Sequence, residues 1–294
     1  MNAVTAGLLR ANPLPAHPEG SKDARGRVLI VGGSLDVPGA ALLAAEAALR
    51  AGAGKLQIAT CRSIAPQMGL LMPEALVFGL EETEAGGITP ASAERLASAA
   101  ARTDAMLIGP GMMEQPATGA LTAALLDRVE GTPAVLDAGA LDGLQDRAGT
   151  LQRHAGRLVI TPHGGEMAQL LGIARDEVEA DPLAVARQAA ARLHCVVVMK
   201  GARTHIVSPQ GEAWLFTGGT IGLATSGSGD TLGGVITALL ARGVVPVWAA
   251  LWGVFLHGEA GTRLTRRYGG IGFLAREIPG EVPAIMAELS AAPD

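Results

Sequence analysis

Thr225-Ser226-Gly227-Ser228-Gly229 is a run of small residues, Asp230 stands at its end, and Thr231 to Leu240 follows as an apolar stretch. That stretch has the length and composition of a buried helix. A Gly/Ser loop feeding a helix start leaves several backbone N–H groups unpaired and pointing one way. With the positive end of the helix macrodipole they form an anion site suited to phosphate. Glycine keeps side chains out of the anion's way and permits positive φ. A carboxylate at such a place is unexpected, because it repels the phosphate that the loop attracts. It makes sense if Asp230 takes the proton of a hydroxyl that attacks phosphorus. The plainer reading of the same residues is an Asp N-cap following an ordinary loop.

The elements that must position this loop are legible along the chain. Arg27 to Gly33, RVLIVGG, is a buried-strand pattern ending in two glycines, and Pro38 opens a helix closed by Gly52. Lys55 to Thr60 is the next strand, so this is a βαβ unit of a parallel sheet. A dinucleotide fingerprint needs a third glycine at the right spacing, and it is missing. After a polar loop at Glu81 to Gly87 and a helix at Pro90 to Arg102, the strand Asp104 to Ile108 ends in Gly109-Pro110-Gly111, which brings backbone close to something. A helix over Pro116 to Val129 leads to the strand Pro133 to Asp137, with its acid at the carboxyl end. Arg157 to Thr161 is another strand, followed by Pro162-His163-Gly164-Gly165-Glu166 and a helix through Leu171. His163 beside a proline is more often structural than catalytic, and Glu166 can cap a helix start. Yet strand ends carrying Gly, Asp, His and Glu in succession collect along one edge of a parallel sheet, where ligands bind.

A helix at Asp181 to Leu193 precedes the strand Cys195 to Met199, which runs into Lys200-Gly201. Thr204 to Ser208 and Ala213 to Phe216 flank Pro209-Gln210-Gly211, a hairpin signal that predicts an antiparallel addition to the sheet. Helices at Pro246 to Leu264, containing His257, and at Pro279 to Leu289 follow. Residues 1–24 read as an N-terminal arm, extended or with a first short helix, and 25–294 as one α/β domain.

The 294 residues are 49% hydrophobic, which suffices for a large core, and 40 are glycine, about twice the usual share. A net charge of −5 gives no basic field for nucleic acid. Cys61 and Cys195 make neither a disulfide framework nor a zinc cluster. The first thirty residues lack a signal-peptide pattern. Arg242 and Pro246 cut the apolar stretch at 243–256 short of a membrane span. A cytoplasmic protein with no membrane partner is expected.

Together, Gly109-Pro110-Gly111, Asp137, Thr161-Pro162-His163 with Glu166, the KGxxT segment Lys200 to Thr204, and Ser226-Gly227-Ser228-Gly229-Asp230 before an apolar helix resemble the ribokinase-like superfamily. Within it they are most similar to the ADP- or ATP-dependent NAD(P)H-hydrate dehydratases. The resemblance runs from Arg25 to Leu289. It implies a single domain with a mainly parallel central sheet, helices on both faces and an antiparallel edge hairpin. The activity it implies is repair: the ring hydroxyl of the S epimer of hydrated NADH or NADPH is phosphorylated from ADP or ATP, and phosphate then leaves to restore the double bond.

Carried over position by position, the resemblance makes Gly227, Ser228 and Gly229 the phosphate-holding loop and Asp230 the base. It places Lys200, Gly201, Ala202, Arg203, Thr204 and Gly229 at the adenine nucleotide. Ala40, Gly111, His163 and Asp230 fall at the hydrated cofactor. Mg2+ is expected, held largely by phosphates and water, with Glu166 a candidate ligand. A homo-oligomer, a tetramer as in relatives, and a stand-alone dehydratase without a fused epimerase domain are further expectations. Three positions depart from the family pattern: Ser228 replaces a threonine but keeps the hydroxyl, Gly139 replaces a second acid, and Thr220-Ile221 replaces Asn-Pro. The alternative is a vitamin-precursor or sugar kinase of the same superfamily, which shares the loop and the Asp base. A non-catalytic nucleotide-binding protein would have no need of Asp230.

Overall fold

The apolar runs bounded by glycine do form strands. In the computed structural model, which describes residues 1–15, 22–113 and 116–290, they join into one ten-stranded sheet. The strands are β1 (Asn2–Ala3), β2 (Arg27–Val31), β3 (Lys55–Cys61), β4 (Ala75–Leu80), β5 (Ala105–Ile108), β6 (Ala134–Leu136), β7 (Leu158–Ile160), β8 (Val196–Met199), β9 (Thr204–Val207) and β10 (Ala213–Phe216). Their order across the sheet is β1-β10-β9-β8-β7-β6-β5-β2-β3-β4. From β4 to β8 every neighbouring pair is parallel. β9 and β10 form the expected antiparallel hairpin, and β1 adds parallel to β10.

Side chains alternate across such strands, and both faces are buried. Val28 and Ile30 of β2 join one apolar cluster, while Leu29 and Val31 join the other. The helices that cover the sheet are α1 (Ala6–Arg10), α2 (Gly39–Arg50), α3 (Ala65–Leu71), α4 (Ala93–Ala100), α5 (Pro116–Leu126), α6 (Ala148–Gln152), α7 (Gly164–Leu171), α8 (Arg175–Ala180), α9 (Pro182–Leu193), α10 (Ser228–Ala241), α11 (Pro246–Tyr268) and α12 (Ile278–Ser290). Core residues of α2, α10, α11 and α12 belong to the first cluster, and those of α4, α5, α7 and α9 to the second. The layers are thus helix, sheet, helix, as expected.

The chain leaves β2 for β3 and β4 on one side, then returns to β5 on the other side of β2. The sheet therefore reverses its winding between β2 and β5, and the carboxyl ends of those strands flank a crevice. The Gly33 N–H donates to the Pro110 carbonyl across it at 2.7 Å. Gly109 has φ +124°, and a Cβ there would lie 1.7 Å from the Asp137 carbonyl oxygen. Only glycine lets the β5 and β6 ends approach this closely.

Beyond the expected elements the structure adds α3, α6, α8, the edge strand β4 and the two-residue β1. Of the residues read as an arm, Asn2 and Ala3 pair with Trp214 and Leu215. α1 is capped by Thr5 and buries Leu9, and the Trp252 indole N–H donates to the Asn12 carbonyl at 3.0 Å. Residues 16–21 of that arm and 291–294 lie outside the described residues.

Candidate active site

α10 is nearly all buried, and its N-terminus opens at the carboxyl edge of the sheet. Its N-cap is Gly227, at φ +87°, where a Cβ would meet Leu43 at 2.3 Å. Asp230 is not the cap: it is the third helical residue, and no side chain caps the helix. The Ser228 N–H donates to the Thr225 carbonyl at 3.2 Å, which tightens the loop. Among the described residues the N–H groups of Gly227, Gly229 and Asp230 have no partner. They are the groups available to an anion. Of the three loop residues expected at the phosphate, Ser228 keeps its N–H within the turn, while its hydroxyl remains at the loop.

Beside this turn lies a buried charge cluster. Lys200 Nζ is 2.7 Å from Asp137 Oδ1 and 3.6 Å from Glu166 Oε2. Thr161 Oγ1 donates to Asp137 Oδ1 at 2.7 Å. A Cβ on Gly229 would come within 3.5 Å of Lys200 Nζ and 3.6 Å of Asp137 Oδ2, so the pair packs against the first turn of α10. Asp137 is almost fully buried, and the Lys200 side chain is only 20% exposed. Lys200 is therefore not a free surface lysine at a strand end. Burial alone would lower its pKa, but the Asp137 and Glu166 carboxylates more than offset this and raise it. Asp230 is pushed up to about 7, first by burial and then by the neighbouring Asp137 charge, with Lys200 opposing. No hydrogen bond engages its carboxylate among the described residues. A half-buried acid poised near neutrality and free to accept a proton is what general-base chemistry requires.

α7 contributes the third acid. His163 is its N-cap: its Nδ1 accepts the N–H groups of Gly165 at 3.0 Å and Glu166 at 3.2 Å. Glu166 Oε2 accepts the His163 N–H at 2.7 Å, completing a capping box. Glu166 thus has the capping role the plain reading gave it and also faces Lys200. With Nδ1 taken up as an acceptor, Nε2 lies 3.5 Å from Glu166 Oε1 on a half-exposed ring.

Ala40 and Gly111 meet across the crevice at the sheet's switch point. A Cβ on Gly111 would lie 2.9 Å from Ala40 Cβ and 2.3 Å from the Val37 carbonyl. Gly201, Ala202 and Arg203 are exposed in the turn between β8 and β9, and Thr204 Oγ1 donates to the Gly201 carbonyl at 3.3 Å. Their backbone is open to a ligand, while Lys200 points the other way, into the charge cluster. At Gly139 a Cβ would lie 2.2 Å from the Met112 carbonyl, so Met112, just after Gly109-Pro110-Gly111, occupies the space that an acid there would need. Asp137, expected only as an acid at the sheet's ligand edge, is joined in the site by Thr161 and His257, to which no side-chain role was assigned. Asp137 was visible as an acid at a strand end, but its pairing with a lysine 63 residues away leaves no local signal.

Among the described residues no group of three or more His, Cys, Asp or Glu side chains is arranged to hold a metal. Three carboxylates against one ammonium nonetheless leave an excess of negative charge beside the anion loop. That excess suits a divalent cation shared with phosphate oxygens and water, not one caged by protein.

Comparisons with known proteins bear on the family and the fold. A family described as NAD(P)H-hydrate dehydratase matches residues 28–283. The chain is 52% identical to an ADP-dependent (S)-NAD(P)H-hydrate dehydratase of Xanthomonas campestris pv. campestris, over 98% of this chain and 97% of that protein. An ADP/ATP-dependent NAD(P)H-hydrate dehydratase of Bacillus subtilis, co-crystallised with ATP and Mg2+, superposes with a TM-score of 0.80 at 30% identity, covering 98% of both chains. A ribokinase-like superfamily protein of Enterococcus faecalis gives 0.83 at 26% identity, over 99% of this chain and 96% of that one.

Proposed function

The chain belongs to the NAD(P)H-hydrate dehydratase family, and on that premise we propose that it dehydrates the S epimer of hydrated NADH and NADPH at the expense of ADP. The observation that carries the mechanism is Asp230: an unbonded carboxylate, raised to about 7, in the first turn of α10 and beside unpaired N–H groups. In the proposed first step the ring hydroxyl attacks the terminal phosphorus of the nucleotide. Its proton passes to Asp230 as the new O–P bond forms and the bond to the leaving nucleotide breaks. The N–H groups of Gly227, Gly229 and Asp230 hold the transferred phosphoryl, and the Ser228 hydroxyl lies at the same loop. In the second step the C–O bond breaks and phosphate departs with the bonding electrons, while the adjacent ring carbon gives up a proton to solvent and its C–H electrons become the restored ring double bond.

Lys200 keeps Asp137 paired and brings a positive charge to the edge of the phosphoryl site. The exposed backbone of Gly201 to Thr204 is assigned to the adenosine, and Ala40, Gly111 and the His163 Nε2–H to the hydrated cofactor. Mg2+, when bound, would be held largely by phosphate oxygens and water, with Glu166 as a protein ligand, and would neutralise the phosphate charge during transfer. No helix among the described residues is long and apolar enough to cross a membrane. A cytoplasmic homotetramer completes the proposal. It is supported by Leu70, Leu71 and Leu76, which are 83%, 67% and 63% exposed beside the open edge β4. A monomeric mass by light scattering would count against the tetramer.

The deciding experiment incubates the protein with the S epimer of hydrated NADH, Mg2+ and ADP. Recovery of absorbance at the NADH band with release of free phosphate is expected. A stable phosphorylated product would instead identify a kinase.

A further inference from the structure

His257 lies in the middle of α11, and its Nε2 is 3.0 Å from both the Ser228 Oγ and the Ser228 carbonyl oxygen. A carbonyl oxygen only accepts, so a ring nitrogen at that distance is favourable only if it carries the proton. The Nε2–H therefore donates to Ser228, shared between the carbonyl and the hydroxyl oxygen. The same carbonyl also accepts Thr231 Oγ1 at 2.8 Å. Ser228 Oγ then has one lone pair occupied by His257, and its own hydrogen must go elsewhere. Among the described residues no other acceptor lies within hydrogen-bond reach of it. Ser228 is buried, at the first helical position of α10, where the neighbouring N–H groups await an anion.

We propose that His257 is a positioning residue that turns the Ser228 hydroxyl into a donor toward the transferred phosphoryl. Two consequences make this more than packing. With the opposite tautomer, Ser228 would donate to the imidazole and present a lone pair to the phosphate, which repels it. The loop thus gains or loses one donor according to which nitrogen of a residue 29 positions away holds a proton. Burial holds His257 in its neutral form, lowering its pKa to about 4, so the tautomer rather than the charge is what the site selects. The loop's departure from the family pattern is accounted for at the same time: serine and threonine both supply the hydroxyl that His257 orients.

The proposal rests on the phosphoryl-transfer reading above, and the test separates the two. A long-range 1H–15N correlation spectrum of the wild-type imidazoles reads the tautomer without any turnover, and loss of one of the 6 histidine signals in a His257→Gln variant identifies the resonance. A neutral Nε2–H form is expected, and an Nδ1–H form would overturn the proposal. In kinetics, His257→Phe should lower kcat roughly 10- to 100-fold with KM for ADP within about threefold, as for loss of one donor that acts in the transition state. His257→Gln, which can place an N–H near the same position, should recover much of the rate. Ser228→Ala combined with His257→Phe should be no slower than Ser228→Ala alone, since both act through one hydroxyl. Losses that multiply would overturn the proposal. Absence of turnover in the wild-type protein would instead sink the dehydratase reading and leave the tautomer measurement standing.

Discussion

At Gly109 a Cβ would sit 1.7 Å from the Asp137 carbonyl oxygen, whereas at Gly229 the nearest atom to a Cβ would be Lys200 Nζ at 3.5 Å. Both glycines lie at the ligand edge of the sheet, and both belong to short glycine-rich motifs. In the switch-point crevice, glycine lets backbone touch backbone. In the anion loop, Gly229 has ordinary helical geometry and ordinary space; its missing side chain leaves room for something that is not protein. One region is built to be filled by its own chain, and the other to remain open beside a charge cluster. The crevice should therefore report on folding when it is altered, and the anion loop on rate.

The largest effect is expected at the charge cluster itself. Asp230→Asn should cut turnover by about 10²- to 10⁴-fold, the usual range for a positioned general base. Affinity for ADP should stay the same or rise, because a negative charge next to the phosphates is gone. In the wild-type protein kcat/KM should increase with pH through an apparent value near 7 as Asp230 loses its proton. A folded Asp230→Asn variant with near wild-type turnover would remove the base from the mechanism.

Lys200→Ala is expected to act on stability as well as rate, because it strands a buried Asp137. Breaking such a pair from one side costs about 3–5 kcal/mol, readable by denaturant unfolding. Adding Asp137→Asn should recover much of that stability but not the activity. If Lys200→Ala leaves the unfolding midpoint unchanged, the pair is not the structural element described here.

Next in size is the direct contrast of the two glycines. Gly109→Ala combines a positive φ with a backbone clash and should destabilise by about 2–4 kcal/mol. Gly229→Ala should leave stability unchanged or raise it by up to about 1 kcal/mol, since alanine is the better helix former. Its methyl would intrude on the phosphoryl site and slow turnover roughly 10-fold or more. Equal effects of the two on stability would erase the distinction between the loops.

The same contrast explains what the sequence could and could not reveal. The interior strands are continuous apolar runs ending in glycine, and α10 follows its loop without a break, so both were readable. β4 was not, because its Leu76 is exposed on an edge and the run ALVFGL follows Met72-Pro73 with no clear period. β1 exists only because Asn2 and Ala3 find Trp214 and Leu215, a tertiary event. In the site, residues adjacent in sequence to the loop were identified together. Asp137 with Lys200, and Ser228 with His257, are paired by the sheet order and by the packing of α10 against α11, and neither spacing has a local signature. Lys200 carries the same lesson: its motif marks it beside the nucleotide, while its pairing with Asp137 and Glu166 has no sequence signal.

The smallest expected effect is also the one that isolates the electrostatics of Asp230 from its chemistry. Its folded pKa is about 7, against the 3.8 of an ordinary aspartate in the unfolded chain. Between these values the native state holds a proton that the unfolded state releases, so unfolding gains from rising pH. The stabilisation is therefore fully present below about pH 4 and is lost as pH climbs through 7. Asn cannot titrate, so Asp230→Asn should match the wild type in melting temperature at acid pH and exceed it at pH 8. Comparing the two proteins at each pH cancels the titration of groups remote from Asp230, leaving its own proton and its coupling to Lys200, Asp137 and Glu166, which face it from β8, β6 and α7. A melting difference that does not vary with pH would mean that Asp230 is an ordinary exposed carboxylate. It would then share the space of the anion loop without being poised by it.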